Sequence, residues 1–108
     1  MLTFLMIFKH TPENCAFVNA RSAKIYAAAM SKQKELEAKH GVKMVGGWNV
    51  APEHLSVQVF EAPNFEAFQA MSMEPEIMAL SSVDTIEIKQ AMAIEEAMQM
   101  VMQMQAKP

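Results

Sequence analysis

The stretch "MVGGWNVAPEHLSVQVFE", residues 44–61, decides the fold because it carries two strands and the turn between them. Its first half is mostly apolar and contains Gly46-Gly47, a pair that bends a strand or admits a bulge. Residues 51–54 include a proline and form the turn. The second half alternates between two faces, one formed by Leu55, Val57 and Val59 and the other by Ser56, Gln58 and Phe60. This pattern predicts an antiparallel hairpin.

The segment before the hairpin is typical of a strand followed by a long helix. Residues 2–9, "LTFLMIFK", are nearly all apolar, and Thr11-Pro12-Glu13 follows them. Threonine caps a free backbone N–H, proline suits the first helical position, and glutamate complements the helix dipole. We therefore predict a helix from Pro12 to Lys39. It ends at His40-Gly41, because glycine readily adopts the left-handed conformation of a helix end.

The segment after the hairpin repeats this plan. Ala62-Pro63-Asn64 opens a second helix, Pro75 breaks it, and a short helical piece continues to Leu80. Residues 83–89, "VDTIEIK", alternate as a fourth strand, and residues 93–105, "AIEEAMQMVMQMQ", form a closing helix.

The predicted order of elements is β-α-β-β-α-β-α, within one domain over residues 1–108. This order indicates an α+β protein with the ferredoxin-like βαββαβ arrangement, a four-stranded antiparallel sheet and an added C-terminal helix. Right-handed crossovers place both main helices on one face of the sheet. The other face needs a second sheet to cover it, so we expect a dimeric α/β barrel. The side chains expected to line that face are Phe4, Met6, Phe8 and Phe60.

The amino-acid composition indicates which kinds of partner the protein binds. Hydrophobic residues make up 52% of the 108 residues, more than a small lone domain needs, which favours a homodimer. The net charge is −3 and the nine Lys and Arg are dispersed, so we expect no nucleic-acid binding. The apolar first strand is too short to span a bilayer, and the single Cys15 fits a reducing compartment. We therefore predict a cytoplasmic protein with no membrane partner.

Three segments carry a resemblance to a known superfamily: "FKHTPENC", "GVKMVGGWNV" and "FEAPNFEAFQAM", residues 8–15, 41–50 and 60–71. With them the chain resembles the dimeric α/β-barrel superfamily and, within it, a small family of domains of unknown function (DUF3303-like). The resemblance implies the fold and the dimer. Members include monooxygenases and isomerases, and the haem-degrading ones use an Asn, a Trp and a His. Only Trp48 matches that set here, so we predict no haem and no other cofactor.

Five residues are candidates for a site. His10 ends the first strand beside a helix start and His54 lies in the turn, so both are candidate catalytic proton carriers. Trp48, Asn49 and Phe60 are candidate substrate-binding residues of an apolar pocket. Alternatively, Trp48 is packed inside as a structural residue, and both histidines are exposed to water.

A metal site is not predicted. Binding would require convergence of His10, Cys15, His40 and His54, and no pair of them has the short spacing typical of ligands on one element. Five of the twelve methionines lie between Met92 and Met104. We interpret them as adaptable packing of a helix that covers apolar surface, with Met100 directed towards a partner.

The leading hypothesis is therefore a protein that binds or transforms a small apolar or aromatic molecule by cofactor-independent proton transfer or oxygenation. The alternative is a non-catalytic interaction module that docks a partner through its Met-rich C-terminal helix.

Overall fold

The computed structural model describes residues 1–106, so the last two residues of the predicted domain lie outside it. The elements follow the predicted α+β, ferredoxin-like order, which is confirmed. In chain order they are β1 Leu2–Lys9, α1 Ala20–His40, β2 Lys43–Val50, β3 Leu55–Ala62, α2 Phe65–Ser72, α3 Pro75–Met78, β4 Thr85–Ala91 and α4 Ile94–Ala106, with 3₁₀ turns at Pro12–Asn14, Ala51–Glu53 and Ala79–Ser82.

The four strands form one antiparallel sheet in the order β2-β3-β1-β4. The predicted hairpin is formed by β2 and β3, whose register shifts between Met44 and Gly46. The side chain of Trp48 lies across this irregularity, since a Cβ on Gly46 would be only 2.8 Å from the indole ring. The glycine therefore lets the ring approach the strand closely.

The first helix begins later than the sequence predicts. Thr11 makes no side-chain cap, and residues 12–14 form only a 3₁₀ turn. The cap is Asn19, whose side-chain oxygen accepts from the Ser22 N–H at 3.0 Å while its amide donates to the Glu13 carbonyl at 2.9 Å. Because Asn19 bonds both to the preceding turn and to the first turn of the helix, α1 begins at Ala20. The predicted end is confirmed, because Gly41 has a φ of 67°.

The face of the sheet under the helices forms the core. Phe4, Met6, Phe8 and Phe60 point into it, and Phe4 stacks on Phe68 of α2 with ring centroids 4.6 Å apart. The prediction that these four side chains line the uncovered face is therefore wrong. Strand β1 is apolar at almost every position, so its pattern did not indicate which face the helices cover.

The opposite face carries the alternate residues of the same strands. Leu5 lies opposite Val59, and Ile7 opposite Val57, which also faces Trp48. We call these five residues the open sheet face. The first four are half-buried, whereas Trp48 is 64% exposed, so the prediction of a tryptophan inside the protomer is wrong.

The C-terminal helix α4 does not cover the domain as predicted. None of its residues is buried, and Ile94, Met98 and Met104 are all more than half exposed. The helices that pack on the inner face of the sheet are α1, α2 and α3. Within residues 1–106, the structure contains no helix with both the length and the apolar character required to cross a membrane.

Candidate functional site

A cavity of about 280 Å³ lies between the helix-covered face of the sheet and α1. Its walls are mainly apolar and are provided by Met6, Phe8, Phe60, Ala29, Met30, Met71, Ile77 and Leu80. On the sheet side Asn49, Ser56 and Gln58 add polar groups, and the Asn49 amide donates to the Ser56 hydroxyl at 2.8 Å. The cavity therefore suits a small molecule that is mostly apolar and has a polar substituent.

Two histidines lie next to one another at one end of this cavity. His10 follows β1 and lines the cavity, and its Nε2 is 3.2 Å from Nδ1 of His54. Antiparallel pairing of β1 with β3 brings the two strand ends together, and the His10 backbone N–H donates to the His54 carbonyl at 3.2 Å. His54 has a φ of 53°, a left-handed conformation that ends the 3₁₀ turn.

Behind His10 lies a carboxylate that is completely buried. Asp84 Oδ1 is 3.6 Å from His10 Nδ1, and the Tyr26 hydroxyl donates to the Asp84 carboxylate at 2.5 Å. The His10 side chain itself is only 9% exposed. The order His54, His10, Asp84, Tyr26 forms a line of polar groups, which we call the polar chain.

Burial governs the ionisation of two members of the polar chain, Asp84 and Tyr26. It raises the pKa of the Asp84 carboxyl above its usual range, although the Tyr26 hydrogen bond and His10 oppose the shift. Burial and then the bond to Asp84 also raise the pKa of the Tyr26 phenol, which stays protonated and donates at neutral pH. The Asp84 carboxyl binds its proton more tightly in the folded state than in the unfolded state. The contribution of this proton binding to stability is therefore largest at acid pH. That contribution is lost as the pH rises through the folded pKa of Asp84.

A thiol completes the cluster at this end of the cavity. One donor atom each from His10, Cys15 and His54 lies within 4.8 Å of the others, and Cys15 is buried. From the sequence we predicted no metal site, because no pair of these residues has the short spacing typical of ligands on one element. They meet because the 3₁₀ turn after β1 carries Cys15 back over the strand end, with its N–H donating to the Pro12 carbonyl.

His40, the fourth potential ligand named from the sequence, lies elsewhere. Its Nε2 is 2.6 Å from a carboxylate oxygen of Glu74, which also pairs with Lys39 at 2.9 Å. Lys39 and His40 together hold the pKa of Glu74 below its usual range. This cluster links the end of α1 to the segment before α3.

Comparisons with known proteins concern the fold. No protein-family model matches the chain, and no curated protein matches it significantly. Solved structures do match. SnoaB, a cofactor-independent oxygenase from Streptomyces nogalater, is 15% identical, with a TM-score of 0.52 over 85% of this chain and 91% of that one. The chain shares the ferredoxin-like fold of SnoaB.

Two further structures support the same conclusion. An antibiotic biosynthesis monooxygenase is 13% identical, with a TM-score of 0.53 over 87% of this chain and 99% of that one. Protein Atu4242 from Agrobacterium tumefaciens is 12% identical, with a TM-score of 0.55 over 85% and 92% of the two chains. At these identities the similarity shows the fold alone.

The structure separates the five residues proposed from sequence. His10, Asn49 and Phe60 line the cavity, and His54 contacts His10 at its end. Trp48 lies on the other face of the sheet, because successive residues of a strand point to opposite sides.

Sequence reasoning missed Tyr26 and Asp84. The usable signal was in α1, where Tyr26, Ala29, Met30 and Gln33 follow the helical period and all line the cavity. Val18 falls inside the helix predicted from Pro12 to Lys39, but it is exposed and precedes α1.

Proposed function

We propose that this protein binds a small aromatic or otherwise apolar molecule in the cavity and exchanges a proton with it through His10. The observation that carries the proposal is the position of His10, which lies between the apolar cavity and the buried Asp84. An imidazole that takes a proton from the ligand becomes positively charged, and the adjacent carboxylate stabilises that charge. Tyr26 holds the carboxylate in place through its hydrogen bond.

The chemistry proposed for this site is proton transfer, either alone or as the first step of an oxygenation. SnoaB is described as a cofactor-independent oxygenase, and it has the same fold. In this proposal His10 takes the proton from the hydroxyl group of a bound hydroxylated aromatic compound, which leaves an electron-rich phenolate. The polar group of such a ligand would be oriented by Asn49, Ser56 and Gln58 on the sheet side of the cavity.

Ligand binding can be tested by thermal shift with a panel of hydroxylated aromatic compounds. A compound present at a hundred times its dissociation constant should stabilise the folded state by about 2.7 kcal/mol. In Ala29→Leu, the larger side chain fills part of the cavity, so the same compound should give at least a tenfold weaker affinity. Ala28→Leu, an exposed position on the same helix, is the matched control and should bind like the wild type.

The proton transfer has its own measurement. 4-Nitrophenol absorbs differently as phenol and as phenolate, so its spectrum reports whether the bound ligand loses its proton. Wild-type protein should increase the phenolate fraction, and His10→Phe should bind the probe without that increase. Equal phenolate fractions in both proteins would contradict the role of His10, and unchanged binding in Ala29→Leu would contradict the cavity as the site.

We also propose that the chain is a homodimer of the dimeric α/β-barrel type, as in the DUF3303-like family that its sequence resembles, and that it acts in the cytoplasm. The open sheet face supports this, because it combines four half-buried aliphatic side chains with the exposed Trp48. A contiguous apolar surface of this kind is typical of a protein interface.

The second candidate function is a non-catalytic module that docks a partner through α4. The observation that favours it is the exposure of this Met-rich helix, none of whose residues is buried, since methionine side chains adapt readily to a partner surface. In this case α4, rather than the open sheet face, would mediate association.

Sedimentation at micromolar concentration distinguishes the two surfaces. The full chain should sediment at about twice its mass, and Trp48→Lys should shift it towards the monomer because a charge enters the apolar interface. Met73→Lys, at a similarly exposed position on the helix side, should leave the dimer intact. A chain ending at Ala93, which lacks α4, should still dimerise. If only that truncation produces monomers, α4 is the association surface and the sheet-face dimer is wrong.

A further inference from the structure

We propose that His10, Cys15 and His54 form a binding site for a divalent transition-metal ion, with Zn²⁺ as the preferred ion. One donor atom from each residue lies within 4.8 Å of the other two, and the two imidazole nitrogens are 3.2 Å apart. With zinc bonds of about 2.0–2.3 Å, neighbouring ligand atoms of a tetrahedral site are about 3.3–3.8 Å apart. The three side chains therefore need to move by only about 1 Å to share one ion.

The chemistry of the donors selects the ion. Two imidazoles and one thiolate are ligands of intermediate to soft character, which bind Zn²⁺ and Co²⁺ rather than Mg²⁺ or Ca²⁺. The carboxylates preferred by the harder ions are absent from the cluster, whose members are His10, Cys15 and His54.

A second, independent observation lies behind His10. The completely buried Asp84 carboxylate is 3.6 Å from Nδ1, while Nε2 points to the cluster. Metal-binding histidines commonly direct their second nitrogen to a carboxylate, which fixes the ring orientation and increases its basicity. Tyr26 holds this carboxylate from the other side, so Asp84 acts as a positioning residue.

The site has an open side. His10 and Cys15 both line the cavity, so a fourth ligand position on the ion would face it. Three protein ligands and one open position distinguish reactive zinc sites from closed structural ones. Water or a polar group of a cavity ligand would occupy that position. A zinc ion on Nε2, with Nδ1 directed to Asp84, would leave His10 no nitrogen to accept a proton, so metal binding and the proposed proton exchange are alternative uses of this side chain. Metal binding is measured without any organic ligand, so its outcome is distinguishable from that of the 4-nitrophenol test.

Cobalt provides the direct test, since thiolate-bound Co²⁺ gives a near-ultraviolet charge-transfer band and tetrahedral Co²⁺ gives strong visible bands. Untagged, chelator-treated and reduced protein should bind one Co²⁺ per chain, show both bands and lose them when Zn²⁺ is added. Cys15→Ser should lose the charge-transfer band, and His54→Gln should bind Co²⁺ at least tenfold more weakly. Asp84→Asn should weaken binding by about 10–100-fold while keeping the band, as expected of a positioning residue.

The matched control is His40→Gln, which removes a histidine that pairs with Glu74 outside the cluster. It should bind Co²⁺ with the affinity and spectrum of the wild type. Circular dichroism of each metal-free variant checks that it is folded. The proposal is overturned if wild-type protein shows no saturable binding, if the bound cobalt lacks the thiolate band, or if Cys15→Ser keeps the wild-type spectrum.

Discussion

Replacing Phe68 by alanine is expected to lower the free energy of unfolding by about 3–5 kcal/mol, which is the usual cost of deleting a large buried aromatic side chain. Phe68 has no exposed surface, stacks on Phe4 at 4.6 Å and lies 5.6 Å from Phe60. It therefore links α2 to both central strands. Urea unfolding followed by circular dichroism measures the change.

A matched control for this variant is Phe65→Ala on the same helix. Phe65 also approaches Phe4, with centroids 5.9 Å apart, but it is 46% exposed and should cost clearly less. Phe68→Leu fills part of the space and should give an intermediate loss, which keeps the comparison measurable if the alanine variant does not fold. Equal losses in the free energy of unfolding for Phe65→Ala and Phe68→Ala would contradict the conclusion that Phe68 lies in the core and Phe65 at its edge.

Tyr26→Phe is expected to lower the free energy of unfolding by about 1.5–3 kcal/mol at pH 7, because it removes the donor of a hydrogen bond to a buried carboxylate. The hydroxyl is 2.5 Å from Asp84, whose side chain is fully buried and would lose this partner. Urea unfolding in the presence of a chelator measures the loss without interference from bound metal.

A double-mutant cycle isolates this hydrogen bond. In an Asp84→Ala background, Tyr26→Phe should cost much less, because the acceptor is already gone. Ser31→Ala serves as the control for removing a hydroxyl, since that group lies on the surface of α1 and its loss should change stability by no more than about 0.5 kcal/mol. An equal cost of Tyr26→Phe in both backgrounds would show that the bond to Asp84 does not stabilise the fold.

Local signals explain why much of the fold was predictable from sequence. The end of α1 at Gly41 and the start of α2 at Asn64 each depend on one residue and its immediate neighbours. The alternation in β3 likewise identified the hairpin and its two faces. Such signals act over a few residues, so they are readable without knowing what packs against them.

The start of α1 shows the limit of local signals. Thr11 and Asn19 are both suitable caps, and proline follows only the first of them. The structure uses Asn19, because its side chain bonds both to the helix and back to the preceding turn. A competition between two plausible caps is decided by contacts that a linear pattern does not contain.

The position of the apolar side chains shows a second limit. Nearly every residue of β1 is apolar, so the phase that puts Phe4 under the helices and Leu5 on the open sheet face was undetermined. The position of Trp48 on the open sheet face follows from the same phase, since Trp48 pairs with Val57 of that face. The hydrophobic effect favours burial of either face, and the choice shows only in the packing of the helices, where Phe68 of α2 stacks on Phe4.

The amino-acid sequence alone determined the order of elements, the hairpin and the residue types available for chemistry, because these depend on neighbours along the chain. It did not determine that His10, Cys15, Tyr26, His54 and Asp84 meet at one end of a cavity. These residues come from four separate segments, and the pairing of β1 with β3 and the packing of α1 on the sheet bring them together. Convergence over such separations is a property of the tertiary structure, since no local pattern specifies the distance between residues on different elements.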